Sequence, residues 1–237
     1  MFNYRFLNSQ IRLHTKEQLD DLSLSGITLQ KTLSSLRLIN KLFGNHKQLY
    51  KSILAYCLHS EKASVHIVDL GCGGGDSIHT IAYKLHKKGI KASFTGIDGN
   101  KQSIKYATSK YNHYENIHFI AKNILDENFT VPQCDILISS HFMYHFRDDA
   151  LIHFLKKTKK VDHIIFSELY RSKMAYYLFK FSSFILPISQ TAKKDGLLAI
   201  KRAFSIQELK DILLKSEVKK FVVLKKPWFR TVTKIDL

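Results

Sequence analysis

Three small residues dominate the chemistry this sequence can do. Gly71, Gly73 and Gly75 lie in Asp69-Leu70-Gly71-Cys72-Gly73-Gly74-Gly75-Asp76, after a buried-strand pattern and before an amphipathic helix pattern. Glycines so placed let the backbone take positive φ and come within contact distance of a ligand. The dinucleotide spacing G-x-G-x-x-G would require glycine at 76, where Asp76 stands, and an acid beside a pyrophosphate repels it. No G-K-[ST] follows, so a P-loop is absent as well. A second group of interest is His141 and His145, four apart just beyond another strand pattern, where one helical turn would set both on one face. Either could act as a base of near-neutral pKa toward a hydroxyl, worth about 10²–10⁴-fold in rate, with Tyr144 orienting the acceptor. A surface or core histidine is the structural alternative. Glu168, at the end of a later strand, could orient such a histidine or pair with Arg171 or Arg202. No HExxH or cysteine pair supports a metal, and Cys72 reads as a small filler rather than a nucleophile.

The elements that must position these groups alternate. Strand patterns cover His66–Leu70, Ser93–Ile97, His118–Ala121, Ile136–Ser139 and Ile164–Ser167, with helical patterns near Ile78–Lys88, Lys101–Tyr114 and Asp148–Lys159. Strand–helix alternation with right-handed crossovers predicts an α/β, doubly wound, mostly parallel sheet. Lys220–Leu224 and Trp228–Ile235, joined through Lys225-Lys226-Pro227, add a C-terminal antiparallel hairpin and bring the sheet to seven strands. Residues 1–60 read as an N-terminal helical cap ahead of a main domain over 61–237. An aromatic stretch over 170–204 reads as a helical lid inserted after strand five, and Ser205 with Glu208 forms a capping box for the next helix.

The whole chain of 237 residues has the composition of a globular protein, 45% hydrophobic, with 10 Gly and 3 Pro. Disordered and collagen-like classes are excluded. Three scattered cysteines and the lack of a signal-peptide core in the opening residues point to the cytoplasm. The net charge of +17 favours anionic partners, yet lysine outnumbers arginine 30 to 7 and is spread along the chain. Arginine is the better residue for base recognition and bidentate phosphate contacts. Lys173, Lys180, Lys193 and Lys194 around the aromatic stretch also suit peripheral contact with a membrane surface.

The acid–x–Gly–x–Gly–x–Gly run resembles the first motif of the class I, Rossmann-like, S-adenosylmethionine (SAM) methyltransferases, and the chain from Val65 onward is similar to them. SAM carries an ammonium and a sulfonium and no phosphate, so the acids help. The resemblance implies that Gly71, Cys72, Gly73 and Gly75 wrap the cofactor, with Asp69 near its ammonium. Asp98, followed by Gly99, would accept the ribose hydroxyls. Asn123, with Ile124, would stand where the family has an adenine-binding Asp, and Ser139 and Ser140 would face the methionine end. Ser167-Glu168-Leu169-Tyr170-Arg171-Ser172, Asp195-Gly196, Lys201-Arg202-Ala203-Phe204, Asp20-Asp21 and Leu36-Arg37-x-x-Asn40 resemble a narrower subgroup. Its members are bacterial small-molecule methyltransferases associated with type III polyketide synthases. That adds Arg37 and Asn40 to the cofactor site and implies O-methylation of a small, apolar, phenolic acceptor. The subgroup more often has histidine where Tyr170 stands. His141-Phe142-Met143-Tyr144 lacks the Asn/Asp-Pro-Pro-Tyr/Phe grip of base-amino methyltransferases and the Pro-Cys of cytosine-C5 enzymes. RNA methylation through the basic surface, and a non-catalytic SAM-binding protein, are the alternatives.

Overall fold

Strand formation follows from runs that are apolar on both faces. The computed structural model describes residues 11–158 and 161–236. In β1 (Val65–Leu70), Val65 and Ile67 pack on one side of the sheet while Val68 and Leu70 pack on the other. The same division runs through β4 (Ile136–Ser140) and β5 (His163–Leu169), where Ile136, Ile138 and Ile165 oppose Leu137, Ile164 and Phe166. β2 (Ala92–Asp98) and β3 (Ile117–Ala121) complete the parallel part. Each fully buried side chain of this kind contributes roughly 1.5–3 kcal/mol.

The strand order is β3-β2-β1-β4-β5-β7-β6, with β6 (Lys220–Lys226) and β7 (Arg230–Asp236) antiparallel. This is the expected seven-stranded, doubly wound sheet of the Rossmann-like methyltransferase fold. The chain winds outward from β1 to β3, then restarts at β4 on the other side, so the crevice between β1 and β4 is the switch point where such sheets bind ligands.

One face is covered by α2 (Asn45–His59), α3 (Asp76–His86) and α4 (Lys101–Tyr111), and the other by α5 (Asp148–Lys157) and α8 (Ile206–Lys215). Ser205 and Glu208 make the expected capping box. α1 (Gly26–Leu42) precedes α2 across Gly44, and α6 (Lys173–Ile185) and α7 (Gln190–Arg202) pack on each other after β5. Ahead of α1, a single 3-10 turn spans Gln18–Asp20. The opening ten residues of the expected cap, the end of the expected helix at Lys159, and Leu237 lie outside the described residues.

The sequence pattern is corrected at two places. β7 starts at Arg230, because Pro227, Trp228 and Phe229 form the hairpin turn. Trp228 and Phe229 take φ of 63° and 56°, conformations no strand residue can hold. His141 and His145 do not share a helical turn. His141 has φ of 54° at the end of β4, and only a 3-10 turn, Met143–His145, follows. The left-handed residue redirects the chain before a helix can start.

Candidate functional site

At the carboxyl ends of β1, β2 and β4 the sheet opens into a cavity of about 820 Å³, in the upper part of the range for small-molecule sites. The glycine turn supplies its floor. Gly71, Gly73 and Gly75 all have positive φ, and a Cβ at Gly71 would lie 2.5 Å from the Phe142 ring. Asp98 braces the turn, accepting from the backbone of Gly73 at 3.0 Å and of Asn100 at 2.9 Å. Asp69 is buried, and its Oδ1 has no hydrogen-bond partner among the described residues. Burial pushes its carboxyl well above the usual range, and Asp76 and Asp98 push it further.

Those features fit a cationic nucleoside. An orphaned buried carboxylate oxygen needs a donor, and the ammonium of SAM is one. Asp98 retains free lone pairs after its two backbone bonds, as ribose hydroxyls require. Cys72, Gly99, Asn123, Ile124, Asn40 and Ser140 also line the cavity. Asn123 Oδ1 accepts from the Leu125 backbone at 3.1 Å. The buried Cys72 thiol is driven well up by desolvation, so it stays protonated. Arg37, Gly75 and Ser139 stand apart from the lining. Arg37 is exposed, Gly75 is blocked by Phe119, and the Ser139 hydroxyl turns back onto the Leu70 carbonyl at 3.0 Å.

The opposite wall comes from stretches far apart in sequence. Asp20, on the turn before α1, meets His145: its Oδ1 lies 2.5 Å from Nδ1. Burial opposes ionisation of Asp20, but His145 and Arg202 outweigh it and hold the carboxyl down at about 2. Burial pushes His145 below its ordinary value, with Asp20 acting the other way. Nδ1 faces the Asp20 carboxylate, and with the imidazole held toward its neutral form Nε2, on the other side of the ring, is left to accept a proton. Arg202 also bonds Asp20 at 2.7 Å and Glu17 at 3.1 Å. Burial raises Glu17 to about 8, while the Tyr144 hydroxyl donates to its Oε2 at 3.4 Å.

Arg12 fastens this N-terminal segment. Its guanidinium donates to the carbonyls of Arg202, Tyr144 and Phe146, pairs with Asp148, and lies 3.9 Å over the Phe204 ring. Asp195 accepts from Gln18 and Leu19 backbone at 3.0 and 3.1 Å. Phe179, Phe181, Trp228 and Phe229 close the cavity with aromatic surface.

Two sequence expectations for bases change here. His141 lines the cavity, but its Nε2 accepts from Arg230, and burial with that guanidinium drives its value far down. Glu168 orients no histidine and pairs with neither Arg171 nor Arg202. Its Oε1 accepts from the Phe142 and Met143 backbones at 3.1 and 3.0 Å beneath the loop, while Arg171 pairs with Glu208. The acid that meets His145 is Asp20, which the sequence did not reveal as its partner. Its only local mark was the Asp20-Asp21 pair, which says nothing of a contact at the far side of the fold. Among the described residues no cluster of metal-ligating side chains occurs.

The strand order and the cavity at the carboxyl ends of β1 and β4 are those of the Rossmann-like methyltransferase fold. A methyltransferase-domain family model matches residues 61–229, and the chain belongs to that family. Solved structures agree on the fold. A DszA carbon methyltransferase superposes with a TM-score of 0.61 at 14% identity, covering 81% of this chain and 53% of that one. Human N-acetylserotonin methyltransferase, in complex with SAM, gives 0.60 at 12% identity, covering 88% and 55%. The methyltransferase domain of the citrinin polyketide synthase gives 0.54 at 13%, covering 73% and 46%. The chain spans about half the length of these proteins. No curated protein matches its sequence. No helix among the described residues is long and apolar enough to cross a membrane.

Proposed function

We propose that this protein transfers a methyl group from SAM to the oxygen of a small, apolar, phenolic or polyketide-type acceptor, with His145 as general base. The observation that carries this is the Asp20–His145 pair on the wall of the cavity whose floor is the glycine turn, Asp69 and Asp98. When bound, SAM supplies a methyl on a sulfonium, activated for in-line displacement. Asp69 would offset its ammonium, and Asp98 would accept from its ribose hydroxyls. His145 Nε2 takes the phenol proton, and Asp20, already ionised, stabilises the imidazolium that forms. Aromatic walls align the acceptor and exclude water, a contribution that reaches several kcal/mol. The aromatic lining supports a small molecule over RNA, and three free cysteines agree with the cytoplasm as its compartment.

The test is methyl transfer from radiolabelled SAM to a panel of simple phenols and pyrones, with total RNA as a parallel acceptor. Label on a phenolic oxygen, lost in His145→Ala, is expected. Label on RNA alone, or SAM binding without turnover on any acceptor, would overturn the assignment.

A further inference from the structure

One side of α6 is bare. Met174, Tyr177, Leu178, Phe181, Phe184 and Ile185 recur at helical spacing and form one outward stripe, with Phe181, Phe184 and Ile185 exposed by 69, 77 and 73%. A contiguous apolar patch of this kind on a soluble domain marks an interaction surface. Its surroundings are basic. Between Leu169 and Lys194 the chain has no acid but carries Lys173, Lys180, Lys193 and Lys194. The C-terminal hairpin repeats this, with no acid between Val218 and Ile235 and lysines at 219, 220, 225 and 226. The hairpin turn reaches the same region, because Phe229 packs against the cluster formed by α6 and α7. Beside it Trp228, the chain's single tryptophan, is 56% exposed.

Two copies of this chain meeting on that face would set like charges against each other, within a molecule of net charge +17. An anionic lipid surface sets opposite charges there and also covers the apolar stripe. A helix with a bulky apolar face, lysines on it and an exposed tryptophan in an adjoining turn has the features of an element lying in a bilayer interface. We propose that α6 and the Trp228 turn seat this protein on an anionic phospholipid bilayer. Leu178, Phe181 and Trp228 also line the cavity, so the docked face carries its mouth.

The test is flotation with vesicles of phosphatidylcholine alone and of phosphatidylcholine mixed with phosphatidylglycerol, using the full chain without acceptor. At low salt, binding to the anionic vesicles should exceed binding to the neutral ones at least tenfold, fall with added salt, and shift Trp228 emission to the blue. Phe184→Ser with Ile185→Ser, neither of which lines the cavity, should cut partitioning about tenfold while leaving the melting temperature in place. Lys173→Gln with Lys180→Gln provides an independent loss through charge. The proposal is overturned if the wild-type chain ignores anionic vesicles, or if both variant pairs bind as it does. A dimer in sedimentation velocity that the Phe184/Ile185 pair disperses would overturn it too, assigning the face to a second copy. None of these readouts depends on methyl transfer.

Discussion

An imidazole kept neutral beside a carboxylate kept ionised can take a proton without leaving an unpaired buried charge, and Asp20 with His145 meets that condition. His145→Ala should lower kcat by about 10²-fold or more, while SAM affinity, read by calorimetry, stays within twofold. Asp20→Asn should lower kcat with little change in KM, because the amide no longer stabilises the imidazolium. Since burial holds His145 below its ordinary value, kcat should rise with pH through a point under about 6.5 and then level. A profile still rising above neutrality would exclude this histidine as the base. On the cofactor side, Asp69→Asn should weaken SAM binding by roughly tenfold or more, as expected for loss of a charged hydrogen-bond partner. Because burial holds Asp69 well above its ordinary range, a cationic partner should pull it back down, so SAM binding should be linked to proton release, visible as a dependence of the binding heat on the buffer's ionisation enthalpy. The glycines and acids of this half were legible because each is marked by its own neighbours in sequence. The partner of His145 was not, since a contact between the turn before α1 and the loop after β4 leaves no periodic trace. Glu168 was misassigned for a related reason: its position at a strand end was correct, but position does not tell which backbone groups lie under a loop.

At the scale of elements, the strand–helix alternation was readable because the central strands β1, β4 and β5 are short apolar runs packed on both faces, set between longer amphipathic helix patterns. The failures sit where the backbone is left-handed, at His141, Trp228 and Phe229, residues whose types give no hint of positive φ. Gly71 is the reverse case, where residue type announces the conformation. Gly71→Ala would place a Cβ into Phe142 as well as strain φ. It should cost about 2 kcal/mol or more in urea unfolding. Arg12→Ala removes the guanidinium that ties the segment before α1 to the loop after β4. Hydrogen exchange over residues 13–25 should accelerate, and kcat should drop together with the loss of Asp20's placement. Unchanged exchange there would show that Asp195 and Arg202 suffice to hold the segment.

Over the whole molecule, buried acids set the response to pH. Burial, partly offset by two backbone donors, raises Glu168 to about 7, while in the unfolded chain it titrates near its ordinary value of about 4.5. The native state keeps that proton longer, so stability falls as pH rises from about 4.5 to about 7 and levels beyond. The drop is on the order of 3 kcal/mol at about 1.4 kcal/mol per pH unit. Glu168→Gln, which can still accept from Phe142 and Met143, should flatten that slope in a series of melts. A slope that persists would assign it to the other buried acids.

Arg12 fastens the segment before α1, and Trp228 lies in the β6–β7 turn, so the aromatic side of the cavity is stitched from stretches far apart in sequence. The pocket for the nucleoside is cast in the sheet between them. A protease nick in the stretch just before α1 would then leave a protein that still holds its methyl donor yet has nowhere to spend it.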